Sequence, residues 1–161
     1  MQKKFLTILV VLIIVVAALA AWQFLPRTSV HEIKIGLVAP ISGSPIGQDM
    51  ERAAQLAVDE INNAGGIYVA AWNANATIKI VTADTVDDTP GNAVTPVTRA
   101  VESDKVDLLI GGYGSAGTLA NEIVAIENKV PYIITGASNQ LVTRRGPQGN
   151  FGGLNSTDQQ A

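Results

Sequence analysis

Val106-Asp107-Leu108-Leu109-Ile110-Gly111-Gly112-Tyr113-Gly114-Ser115-Ala116-Gly117-Thr118 is the stretch that decides the fold. Residues 106–110 are almost continuously apolar and branched, as a strand buried on both faces of a parallel sheet must be. The glycines that follow permit a tight turn, and residues 118–128 read as a helix. A second apolar run at 130–135 predicts the next strand. Upstream, residues 33–39 form a β-branched run stopped by Pro40, and residues 41–47 are rich in Gly, Ser and Pro, so a strand leads into a loop. Met50, Ala53, Ala54, Ala57, Val58 and Ile61 recur at helical spacing, and Gly65-Gly66 ends that helix. Residues 67–76, with Tyr68 and Trp72, read as an irregular insertion, and 77–83 as a strand. Pro90 suits the first turn of a helix running to about Ser103, with Pro96 predicting a kink or a late start.

The resulting order is βαβαβαβ. Parallel strands joined by right-handed crossovers predict a three-layer α/β/α sandwich. Beyond Gly136 the pattern predicts loop and no further element, an unfinished ending that suggests a fragment. The expected organisation is an apolar segment at 1–26, a polar linker at 27–32 in which His31 is solvated, and a single lobe at 33–161.

Lys3 and Lys4 precede a nearly unbroken apolar run from Phe5 to Leu25. Positive charge before such a run is the pattern of an export signal or a membrane anchor. Ala18-Leu19-Ala20 offers a cleavage site, while the length of the run and Trp22 suit a retained anchor. Either way, residues from about Arg27 are expected outside the cytoplasm. The chain has 161 residues, 14 acidic against 11 basic, one histidine and no cysteine. This composition excludes a disulfide framework, a thiolate metal site and a cysteine nucleophile, and it argues against nucleic-acid binding. Asn75-Ala76-Thr77 and Asn155-Ser156-Thr157 fit the glycosylation sequon, a triplet common by chance.

In an open parallel sheet, ligands bind beyond the carboxyl ends of the strands. Residues 42–47, 112–117 and 136–139 should meet there. Gly112-Tyr113-Gly114-Ser115-Ala116-Gly117 matches the dinucleotide fingerprint, making an NAD-binding enzyme domain one alternative. Against it, Thr135-Gly136-Ala137-Ser138 supplies no acid for the ribose. The amides opening the following helix suit a small carboxylate equally well, with the Ser115 and Ser138 hydroxyls as neutral donors and the Gly136 carbonyl as acceptor for an ammonium. The plainer alternative is that the glycines only form a turn and the serines only cap helices. Asp84, Asp87 and Asp88 read as helix capping at Asp88 or Thr89 with solvated neighbours rather than a cation site. No catalytic constellation is present, so neither an enzyme nor a cofactor is expected.

Ile33-Lys34-Ile35-Gly36-Leu37-Val38-Ala39-Pro40-Ile41-Ser42-Gly43 and Ala57-Val58-Asp59-Glu60-Ile61-Asn62-Asn63-Ala64-Gly65-Gly66-Ile67 resemble the opening of type I periplasmic binding proteins. Within them, the chain is most similar to the leucine/isoleucine/valine substrate-binding proteins of ABC transporters. Residues 108–115 and 130–138 continue the resemblance. It implies two lobes closing on an amino acid or similar solute, an ABC permease as partner, and an extracytoplasmic place, secreted or held at the membrane by the N-terminal segment if uncleaved. By position, it implies that Ser115 binds the ligand's carboxylate, Gly136 offers a carbonyl to its ammonium and Ser138 meets its head group. Gly114 and Ala137 flank these residues, and Ile46 lies in the loop expected to select the side chain. An extracellular sensing lobe of a receptor shares the same expected fold.

Overall fold

A computed structural model describes residues 31–139, 141–142 and 150–152. The expected signal or anchor at 1–26 and the sequon at Asn155 lie outside the described residues. The elements in chain order are β1 (His31–Ala39), α1 (Pro45–Asn63), β2 (Ile67–Val69), β3 (Ala74–Asp84), α2 (Pro90–Glu102), β4 (Leu108–Gly111), α3 (Ser115–Glu127), β5 (Tyr132–Ile134) and β6 (Asn150–Gly152). They form a sheet of order β2-β3-β1-β4-β5-β6. All neighbouring strands run parallel except β2, which is antiparallel to β3.

β1 lies inside the sheet, between β3 and β4, and alternate residues along it point to opposite faces. Leu37 and Ala39 face α1 and pack with Ala54, Met50 and Ile110. Val38 faces the other way, into the larger core formed with Val97, Ala100, Val101, Leu109, Val124, Tyr132 and Ile134. Helices therefore cover both faces, and the three-layer α/β/α arrangement holds.

Four expectations need correction. The insertion at 67–76 is a β-hairpin: Ile67, Tyr68 and Val69 pair with Ala76, Asn75 and Ala74, and Asn73 turns the chain at a φ of 47°. The sheet is consequently mixed rather than wholly parallel. The linker does not extend to residue 32, because His31 and Glu32 already belong to β1, opposite Ala76 and Thr77. His31 is also not simply solvated, since its ring stacks on Trp72 with centroids 4.7 Å apart. Finally, the chain after Gly136 is not all loop: β6 pairs in parallel with β5. Three residues ending in glycine carry no period to read.

Helix starts also differ from expectation. α1 begins at Pro45, with Ser44 as N-cap accepting the Ile46 N–H at 3.2 Å, so the second half of the expected loop is the first turn of a helix. α2 starts at Pro90 and runs through Pro96, so it does not start late. α3 starts at Ser115.

Candidate functional site

β1 feeds α1 on one face of the sheet, whereas β4 feeds α3 on the other. The loops leaving β1 and β4 therefore part at the carboxyl edge between adjacent strands, which is where an open α/β sheet leaves a crevice. The loop after β1 is held by Asp84 at the end of β3. Its Oδ1 accepts the N–H groups of Ile41 (2.9 Å), Ser42 (3.2 Å) and Val86 (3.0 Å). Burial works to raise the Asp84 pKa, but the Ser42 side chain and the backbone donors of Val86, Ser42 and Ile41 outweigh it and hold it below the ordinary 3.8.

The turn between β4 and α3 is shaped by what lies under its glycines. A Cβ on Gly112 would stand 2.5 Å from the Tyr132 hydroxyl, one on Gly114 would stand 2.6 Å from the Asp88 Cβ, and one on Gly117 would stand 2.5 Å from the Asp88 carbonyl oxygen. Each glycine of the G-x-G-x-x-G pattern thus makes room for a buried neighbour from this chain. The Gly112 N–H goes to the Val38 carbonyl at 2.8 Å and the Gly114 N–H to Asp88 Oδ2 at 2.7 Å. Amides that a pyrophosphate would need are already engaged. The pattern here is an interior packing solution, which removes the main support for a dinucleotide site.

What remains open lies one step further along. Gly114 is the N-cap of α3 and supplies no side chain, and the Thr118 N–H closes the first helical bond to its carbonyl. Among the described residues, the amides of Ser115 and Ala116 have no acceptor, as the first turn of a helix requires unless a cap or ligand intervenes. Ser115 is half-buried and Ala116 exposed. Together they present a hydroxyl and two N–H groups at the positive end of a helix dipole.

The structure brings the β5 loop directly onto this turn. The N–H groups of Thr135, Gly136 and Ala137 donate to the carbonyls of Gly111 (2.8 Å), Gly112 (3.2 Å) and Gly112 (2.9 Å). Gly136 touches the Tyr113 backbone so closely that a Cβ there would lie 2.8 Å from its Cα. The strip so formed joins Gly136 to the turn that leads into Gly114 and Ser115, and Ser138 lies two residues further along, half-buried. Ala137 turns its methyl into the core, leaving only its backbone for the strip. Ile46 projects from the first turn of α1, exposed, on the loop that Asp84 holds.

Sequence reasoning missed Asp84 and Asp88 as loop-holding groups. Asp88 is nearly buried and takes both the Thr85 hydroxyl and the Gly114 amide, so of the two expected capping positions it is Thr89 that is the N-cap of α2, held in place by Asp87. Its Oδ1 accepts from Thr89 N (3.1 Å), Thr89 Oγ1 (2.8 Å) and Asn92 Nδ2 (3.0 Å). Among the described residues, no group of three or more acidic or histidine side chains is placed to hold a metal ion. An apolar hollow of about 230 Å³ lies under α1, lined chiefly by Leu37, Met50, Ala53, Ala54, Ile110 and Thr135. None of the six candidate residues lines it, although its wall includes Gly111 and Thr135, which bond to each other where the loops after β4 and β5 meet.

Comparison with known proteins identifies the family and supports the fold. The family model described as periplasmic binding protein matches residues 32–161. Leu/Ile/Val-binding protein homolog 8 of Brucella abortus is 34% identical over 119 residues, covering 73% of this chain. The chain spans only 28% of that relative's length. The branched-chain amino acid transporter substrate binding protein LivJ of Streptococcus pneumoniae, solved with isoleucine, superposes with a TM-score of 0.64 at 30% identity, covering 80% of this chain and 34% of its own. A leucine binding protein LivK of Thermotoga maritima superposes with a TM-score of 0.55 at 26% identity, covering 75% of this chain and 31% of its own. On the family match, which takes in all but the first 31 residues, the chain belongs to the periplasmic binding protein family.

Proposed function

We propose that this chain forms the first ligand-gripping lobe of an extracytoplasmic solute-binding component of an ABC transporter. Its ligand is a branched-chain amino acid or a close analogue. The observation that carries this reading is the strip at the carboxyl edge of the sheet: the amides of Ser115 and Ala116, without an acceptor among the described residues, and the Ser115 hydroxyl, on a turn to which residues 135–137 hydrogen-bond. These donors suit the carboxylate of a zwitterion, and the Gly136 carbonyl suits its ammonium. The likeness to leucine- and isoleucine-binding relatives supports the same ligand class.

One lobe exposes half of such a site to water. In the full-length polypeptide a second lobe closes over the bound solute, and the closed form is what a permease recognises. Lys3, Lys4 and the apolar run after them direct the protein out of the cytoplasm, where the N-terminal segment is either removed or kept as an anchor. No catalytic step is assigned to the lobe.

The test is isothermal titration of the full-length polypeptide with leucine, isoleucine, valine, the other amino acids and their amides. Binding of one or more branched-chain amino acids, weakened when the carboxylate becomes an amide, is the expected result. Silence across the panel would remove the reading.

A further inference from the structure

We infer that Asp88 is the positioning residue of the anion-gripping turn: by taking the Gly114 N–H it sets the direction in which the Ser115 and Ala116 amides leave α3. The inference rests on the reading that this turn takes a carboxylate.

Asp88 sits in the loop between β3 and α2, in the left-handed region at a φ of 56°. Aspartate tolerates that conformation better than most residues. Its neighbours fix it from three directions. Its own N–H donates to the Thr85 carbonyl at 3.1 Å, Oδ1 accepts the Thr85 hydroxyl, and Oδ2 accepts Gly114 N–H at 2.7 Å. Thr85 in turn donates its N–H to the Ala39 carbonyl at 3.0 Å, tying the arrangement to the end of β1. Thr85 is fully buried, and Asp88 is only 9% exposed. Gly114 and Gly117 both lack the Cβ that would push Asp88 away. The turn is therefore built around this carboxylate, which aligns the first free donors of the helix without occupying them. A short bond to an acidic oxygen holds an amide more firmly than a neutral acceptor would.

The experiment uses the full-length polypeptide and leucine as probe, with titration calorimetry and the amide proton shift of Gly114. Asp88→Ala should weaken leucine binding about tenfold or more, the scale of a lost hydrogen bond to a charged group. Asp88→Asn keeps an acceptor oxygen and should restore affinity to within about threefold. The Gly114 amide proton should resonate downfield in the unsubstituted protein and in Asp88→Asn, and lose that shift in Asp88→Ala. If Asp88→Ala does not fold, Thr85→Val, which frees the other carboxylate oxygen, should weaken leucine binding by about threefold. Unchanged affinity in Asp88→Ala or Thr85→Val, or an Asp88→Asn variant as weak as Asp88→Ala, overturns the inference alone. If the unsubstituted protein binds no amino acid, the functional reading fails. The Gly114 shift then still decides whether Asp88 orders the turn.

Discussion

In the proposed function, ligand capture turns on Ser115, because it combines a side-chain donor with a backbone donor that has no acceptor among the described residues, at the first position of α3. Ser115→Ala keeps the amide and removes the hydroxyl, so binding of a carboxylate ligand should weaken by about 1–2 kcal/mol, roughly five- to thirtyfold. Titration of the full-length variant checks this, and an unchanged affinity takes Ser115 out of the site. Asp84 gives a second prediction, with a definite sign. Its folded pKa lies below 3.8, so its contribution to stability is complete at neutral pH and is lost as pH falls below 3.8 and through the lower folded value. Urea unfolding at about pH 6 and about pH 3 should show a larger loss of stability for the natural chain than for Asp84→Asn; equal losses would contradict the assignment. At this scale the sequence was legible for the meeting of the loops after β4 and β5, where Gly136 lies against the turn that precedes Ser115, and the ligand-binding roles of Ser115, Gly136 and Ser138 belong to the proposal. The sequence was not legible for Asp84 and Asp88. Three aspartates within five residues look alike in sequence, and only the approach of loops distant in the chain gives each its separate acceptor role. His31 was misread for a similar reason, since its stacking partner Trp72 is reached only through the β2–β3 hairpin.

Elements were legible where burial imposed a period. The apolar runs in β1, β3, β4 and β5 and the helical spacing in α1 all correspond to observed elements. The boundaries were blurred by residues that serve both loops and helix starts. Ser44-Pro45 is an N-cap followed by proline at the first helical position, yet amid Gly, Ser and Pro it reads as loop. Ser44→Ala should cost about 1 kcal/mol, read as a shift in the urea midpoint, because the Ile46 N–H loses its acceptor. No change would mean that water replaces the cap without penalty. β2 was hidden because a three-residue strand beside a tight turn has too few residues to alternate. Gly111 is the sharpest test of the turn that carries the site. Its φ is 110°, and a Cβ there would lie 2.2 Å from the Val38 carbonyl oxygen of the adjoining strand. Gly111→Ala should destabilise the lobe by about 3 kcal/mol or more, since left-handed strain and a backbone clash add. A midpoint close to that of the natural chain would show that the β1–β4 edge is less tightly registered than described.

At the scale of the whole molecule, the layer order follows from the sequence, because alternating strands and helices with buried parallel strands have few other solutions. The functional reading depends on how those layers end. Crossovers on opposite faces of the sheet leave the loops after β1 and β4 diverging at its carboxyl edge, and Asp84 and Asp88, from the end of β3, hold one loop each. In the proposed function such a lobe is half of a site that closure of a second lobe completes. The chain covers 28% of the length of the Brucella relative, and the binding predictions are made for the full-length polypeptide. The central claim is that the free amides and hydroxyl opening α3 hold the solute's carboxylate. A crystal structure of the full-length polypeptide with leucine tests this most directly. The account predicts a carboxylate oxygen within hydrogen-bonding distance of both the Ser115 hydroxyl and an amide of Ser115 or Ala116, whereas a leucine carboxylate bound away from the start of α3 would contradict it.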